Sequence, residues 1–236
     1  MGYAVEEQAT FENRLEDRLN TEAAGQQKYE LLNFAQLGYG GFQKLMTLES
    51  KAFAFDPDAV FFVTYSSELD FSLWHIARVV RTGSEIPAPY RDVLVEVITT
   101  SGVTPETPDL EMKRWLGPRM PDLMTWIFQR FAKECSRQGA IPYVVYRPSA
   151  IALEGKGAQH EREVRLQLTE SAAQAGLTVL DLSDSFQEVQ NWQALLVAPW
   201  DDHINALGHS LLAETLYRRL HDQQTVPFFQ GADRRP

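Results

Sequence analysis

The chain of 236 residues has a single cysteine, Cys135. One thiol can build neither an internal disulfide framework nor a cysteine-based zinc site, so a disulfide-stapled scaffold and a zinc finger are both excluded. Basic residues are scarce: 22 Lys and Arg stand against 32 Asp and Glu, a formal net charge of −10. A surface so poor in cations is ill matched to a phosphate backbone, and nucleic acid is not an expected partner. No apolar run approaches the roughly 18 residues of a spanning helix, and the first twenty residues alternate charge and polarity instead of forming an apolar signal core. No membrane segment is expected within the sequence, and the compartment stays open. A phosphate-binding loop and a dinucleotide fingerprint are also missing, so a nucleotide-binding module is not expected, and no internal repeat is visible.

With 44% hydrophobic and 23% charged residues, the composition is that of an ordinary globular chain long enough to bury a sizeable core. Short runs of mostly apolar or β-branched residues at Tyr29–Phe34, Ala59–Tyr65, Ile141–Tyr146 and Leu177–Asp181 predict strands. Helical spacing predicts helices at about 6–20, 40–53, 69–81, 109–138, 159–175 and 206–222. Apolar strands alternating with amphipathic helices predict an α/β fold: a three-layer domain with a parallel sheet covered on both faces and its site at the carboxyl ends of the strands. Residues 82–122, punctuated by Pro87, Pro89, Pro105, Pro108, Pro118 and Pro121, read as an insertion over one edge of the sheet, either a surface excursion or a lid. Residues 1–222 read as one domain and 223–236 as a C-terminal tail.

Two segments carry candidate chemistry. Pro199-Trp200-Asp201-Asp202-His203-Ile204-Asn205-Ala206-Leu207-Gly208-His209 puts a histidine and two carboxylates in a loop before an amphipathic helix. A histidine general base needs one ring nitrogen facing the nucleophile and the other donating to a carboxylate that fixes its tautomer. Asp201, two residues before His203, could be that carboxylate; Asp202 or Asn205 could equally cap the helix that follows. The second segment, Asn33 to Gln43, leaves a strand and enters a helix through Gly38, Gly40 and Gly41. Glycines there could let backbone N–H groups reach a developing oxyanion, or could simply relieve strain in a tight turn. Asp201, Asp202, His203 and His209 offer metal-ligand chemistry without a further, separated ligand cluster, so no metal is expected. Tyr90, Trp115 and Trp200 are candidates for contact with sugar rings or acyl chains, or for filling the core.

Taken in order, these segments resemble the SGNH, or GDSL-type, serine hydrolase family. Gly2-Tyr3-Ala4-Val5, then Thr10-Phe11 and Leu15, resembles the stretch after the nucleophile, which in the family runs Gly-Asp-Ser, three residues, Gly, two residues, Val. Asn33 to Gln43 resembles the second block, with Gly38 at the oxyanion glycine. Pro57-Asp58-Ala59-Val60 resembles the start of the third strand, and Asp201 to His209 the Asp-and-His block. The resemblance implies a flavodoxin-like sheet and an esterase that needs no cofactor and acts on a small-molecule or carbohydrate ester, with His203 as base, Asp201 as its orienting carboxylate and Gly38 as oxyanion donor. It also implies two departures. The nucleophilic serine would fall three positions before Met1, so the first central strand, between the runs at 28–34 and 59–65, would be missing from the chain, and residues 1–236 alone are expected to hydrolyse little or no ester. Where the family shows Gly-x-Asn-Asp, this chain reads Tyr65-Ser66-Ser67-Glu68-Leu69-Asp70, without the asparagine donor. Nothing places Ser66 or Ser67 on a strained elbow as substitute nucleophile. The rival reading is a non-catalytic module on the same scaffold that binds a glycan or an acylated surface.

Overall fold

The computed structural model describes residues 2, 4–150 and 155–222. Residues 223–236, read as a tail, and Tyr3 of the opening block lie outside the described residues. In chain order the elements are α1 (Phe11–Glu22), α2 (Gly41–Ser50), β1 (Ala59–Thr64), α3 (Glu68–Thr82), α4 (Ala88–Ser101), α5 (Asp109–Leu116), α6 (Met120–Gln138), β2 (Ile141–Tyr146), α7 (Gly155–Gln174), β3 (Thr178–Asp181), β4 (Leu196–Ala198), β5 (Asp201–Ile204) and α8 (Ala206–Asp222). The fold is α/β. A three-stranded sheet has the order β1-β2-β3. The N–H of Ile141, opening β2, donates to the carbonyl of Asp58 just before β1, and the N–H of Leu182, just after β3, donates to Tyr146, closing β2. Starts lie beside starts and ends beside ends, so the strands run parallel.

The chain divides into two compact units. One comprises the residues up to Asn33, Val145–Gln159 and those from Leu180 onward; the other comprises Phe34–Val144 and His160–Val179. In the first, α1 packs on α8: Leu15 and Leu19, one helical turn apart, are buried, as are Leu212, Leu216 and Leu220 of α8. The Arg18 guanidinium lies 3.4 Å over the Tyr217 ring, adding a cation–π contact to that seam.

The strand expected at residues 29–34 does not form; backbone groups of Tyr29 and Leu31 bond to side chains of α1 and not to a neighbouring strand. Tyr29 N–H donates to Asn20 Oδ1 (2.8 Å), Asn20 Nδ2 donates back to the Tyr29 carbonyl (2.9 Å), and Leu31 N–H donates to Glu16 Oε2 (2.6 Å). Asn33 Nδ2 meets Glu12 Oε1. Glu12, Glu16 and Asn20 recur at i, i+4 and i+8, so one face of α1 stands in for a partner strand.

In the second unit α2, α3 and α6 enclose an aromatic core in which Phe62 of β1 meets Phe128 and Phe131 of α6 edge-on or tilted at 5.4 Å. Residues 82–122 are helical where the prolines suggested irregular pieces. Pro87 and Pro108 sit at the N-caps of α4 and α5, and Pro121 lies in the first turn of α6, positions where a missing N–H costs nothing. The helix expected over 109–138 is interrupted by a 3-10 turn at Gly117–Arg119. Tyr90 anchors α4: its ring is buried against Phe42 and Trp126, and its hydroxyl donates to Glu49 Oε2 (2.6 Å), which also accepts Arg130 Nε through Oε1 (2.6 Å). Burial, then Glu49, pushes the Tyr90 phenol well above its ordinary range. Tyr90 is thus a core residue. Cys135 is buried in α6, and burial pushes its thiol up to about 12, leaving it without thiolate reactivity.

Candidate active site

The segment bearing the histidine and two carboxylates is a hairpin where a loop was expected. β4 and β5 pair antiparallel, Leu196 opposite Ile204 and Ala198 opposite Asp201, with one irregularity between. Along β5 side chains alternate faces, so Asp201 and His203 share one face while Asp202 takes the other. Asp201 Oδ1 lies 2.6 Å from His203 Nδ1 and also accepts the His203 backbone N–H at 2.9 Å. The nearest approach of Asp202 to the same ring nitrogen is 3.6 Å, from a side chain 66% exposed. A carboxylate only accepts, so His203 Nδ1 carries hydrogen and Nε2 is the basic nitrogen of the neutral ring. The His203 backbone N–H first, and its ring second, hold the Asp201 carboxyl below the usual carboxylate range.

Asn205 fixes where this hairpin ends. Its N–H donates to Leu195 O (2.7 Å), its Nδ2 donates to Ala194 O (2.8 Å) and Leu196 O (3.0 Å), and its Oδ1 accepts the N–H groups of Leu207 (2.9 Å) and Gly208 (3.2 Å). Asn205 is therefore the N-cap of α8, the alternative role weighed for Asp202. Trp200, at the hairpin turn beside Asp201, is 88% exposed. Six residues beyond His203, His209 has the opposite environment. It is buried, its Nδ1 accepts the Phe11 N–H (3.1 Å), and its ring stacks on Phe11. Burial lowers its pKa to about 4, so it stays neutral at physiological pH.

Gly38 lies in the other unit, in the turn between Gln36 and Gly41. Its φ of +73° is left-handed, where a Cβ is strained, so glycine is the fitting residue. Gly40 is held to glycine by proximity: a Cβ there would sit 2.9 Å from the Ser72 backbone nitrogen. His75 Nε2 lies 2.8 Å from the Gly38 carbonyl, and Ser72 Oγ accepts the Gly41 N–H at 3.3 Å. Ser66 and Ser67 form the turn between β1 and α3 in this same unit. The structure thus joins Asp201 to His203 in one unit and gives Gly38 its own setting in the other.

Three contributors escaped the sequence reading. His75 carries a detectable signal in hindsight: Phe71, Ser72 and His75 fall on one helical face, opposite a glycine turn. Lys44, partly exposed, and Glu68 form an ion pair. Glu68, wholly buried at the start of α3, meets Lys44 Nζ, which also donates to Val63 O (2.9 Å). Thr64 Oγ1 donates to Glu68 Oε2 (3.2 Å), while Oε1 has no partner among the described residues. Asn205 was legible only as one of two possible caps. Asp201, Asp202 and His203 also present ligand atoms within 4.8 Å of one another, the donor types a divalent ion takes.

No protein-family model matches the chain, and no curated protein sequence does. The structure is similar to the crystal structure of LAE5, described as an alpha/beta hydrolase enzyme from the metagenome of Lake Arreo, Spain. The TM-score is 0.59 at 12% identity, covering 90% of this chain and 82% of that one. At that identity the likeness is one of fold. Chemically, a carboxylate-oriented imidazole can take and return a proton, and a glycine turn with unused N–H groups can stabilise negative charge on oxygen.

Proposed function

We propose that the protein is an ester hydrolase of the SGNH, or GDSL, type, with a flavodoxin-like arrangement of its sheet and residues 1–222 as one catalytic domain. The observation that carries this reading is the 2.6 Å contact between Asp201 Oδ1 and His203 Nδ1 on one face of β5, with the ring 41% exposed. The fold shared with a protein described as an alpha/beta hydrolase enzyme adds support.

In this reading a serine hydroxyl attacks the ester carbonyl while His203 Nε2 takes its proton. His203 then returns the proton to the departing alkoxide, and the acyl-enzyme is released by water through the same two transfers. Asp201 holds the imidazole in the Nδ1–H tautomer and stabilises the imidazolium. Gly38 N–H donates to the oxyanion. The family resemblance puts the serine upstream of Gly2, and Trp200 stands ready as an apolar wall for a small-molecule or carbohydrate ester.

The test is covalent labelling of the full gene product with a fluorophosphonate, beside turnover of p-nitrophenyl acetate. We expect turnover, and a label on one serine preceding Gly2 that is lost in His203→Ala. No label and no turnover, or a label indifferent to His203→Ala, would overturn the reading. Binding of an acylated glycan without any label would favour the non-catalytic module, to which the missing asparagine at Tyr65–Asp70 points.

A further inference from the structure

The turn at residues 36–41 treats its acceptors and donors differently. The Gly38 carbonyl accepts from His75; since a carbonyl only accepts, Nε2 of His75 carries the hydrogen. Four residues apart on a helix are neighbours, and Phe71, at i−4 from His75, lies 3.9 Å from the position of a Gly38 Cβ. Ser72, buried on the same side of α3, holds the Gly41 N–H. By contrast, the N–H groups of Gly38 and Gly40 donate to no acceptor among the described residues. Glycine populates positive and negative φ about equally, so an untethered Gly38 would redirect its N–H from one conformer to the next.

We infer that His75 is a positioning residue for the oxyanion turn: by holding the Gly38 carbonyl it keeps Gly38 left-handed and its N–H available to a developing oxyanion. This rests on the hydrolase reading above. His75 touches neither substrate nor the proton in flight. Its ring is steadied by Trp74, whose ring meets it at 4.8 Å in a T-shaped contact.

The experiment compares His75→Ala and His75→Gln in the full gene product. Turnover is normalised to fluorophosphonate-titrated sites, which removes any loss of folded protein. Deleting an oxyanion donor outright costs about 10²–10³-fold in kcat, so loosening one should cost about 10-fold in His75→Ala, with KM changed less than about twofold. Gln carries an N–H that can reach the same carbonyl and should recover to within about threefold of the wild type. An unchanged kcat per titrated site in His75→Ala, or equal losses in the two variants, would overturn the inference. The Gly38 carbonyl ¹³C resonance supplies a readout independent of activity. If the wild type neither turns over nor labels, the hydrolase reading fails and the oxyanion role falls with it. A Gly38 resonance that moves in His75→Ala and returns in His75→Gln would still uphold the clamp, and one that stays put would overturn it.

Discussion

Beyond one backbone bond of its own, from Tyr39 N–H to Gln36 O (3.3 Å), the turn at residues 36–41 is held from outside, whereas the hairpin at residues 196–205 is held from within. The turn's glycines have no side chains to anchor them, so its fixed points come from α3: a ring on the Gly38 carbonyl and a hydroxyl on the Gly41 N–H. The hairpin carries its own anchors, the β4–β5 ladder and the six hydrogen bonds of Asn205, three to residues 194–196 and three to residues 207–209 of α8. A segment that must offer bare N–H groups gives up the side chains that could brace it, and a neighbouring helix must brace it instead. A segment that must offer an imidazole keeps polar side chains and can brace itself.

The two aspartates of the hairpin differ most in their expected effect. Asp201→Asn should lower kcat of the full gene product by roughly 10³–10⁴-fold, because an amide can donate to Nδ1 and stabilise the wrong tautomer. Asp202→Asn, on the other face of β5, should stay within about threefold. Steady-state rates of the two variants decide it, and equal losses would show that strand alternation does not select the partner.

The external bracing of the turn reaches down to Lys44 and Glu68, which tie α2 to the start of α3. Lys44→Met strands a carboxylate that is wholly buried, and breaking a buried pair from one side costs about 3–5 kcal/mol. Lys44→Met with Glu68→Leu should recover most of that loss. Urea unfolding of the wild type, the single and the double variant measures both steps; a single variant as stable as the wild type would mean that the pair does not brace the turn's two helices.

The smallest effect separates the two histidines near the hairpin. His209 is neutral when folded down to about pH 4, while in the unfolded chain it protonates near 6.5. The unfolded state therefore binds more protons between those values, and stability falls as pH drops from about 6.5 to about 4. Allowing for solvent screening, the loss should be on the order of 1–2 kcal/mol. His209→Gln should flatten the urea midpoint across that range, and an unaltered pH profile would contradict the buried, neutral setting.

The three strands of the parallel sheet were legible because each is a continuous apolar or β-branched run that only a buried strand or a short buried helix can use. The run at 29–34 has the same local character and still makes no strand, since being a strand requires a ladder partner and the α1 side chains took those hydrogen bonds. The prolines of 82–122 looked like interruptions because proline ends helices as readily as it starts them; which one applies depends on the packing of Tyr90 and its neighbours. β4 is an apolar run too short for periodicity to reveal and β5 is short and mostly polar, yet their pairing is what makes the two-residue spacing of Asp201 and His203 a shared face.

By itself the sequence determined the alternation of helices and strands, the exclusion of an internal disulfide framework, and the chemical types gathered in Asp201 to His209, because composition, hydrophobic period and side-chain chemistry are local properties. The tertiary structure decided which carboxylate meets His203, that Asn205 caps α8, that His209 is neutral and buried, and that His75 holds Gly38. Each of those depends on which backbone group or solvent-excluding neighbour lies within a few ångströms, and residues as far apart in the chain as Phe11 and His209 become neighbours only on folding.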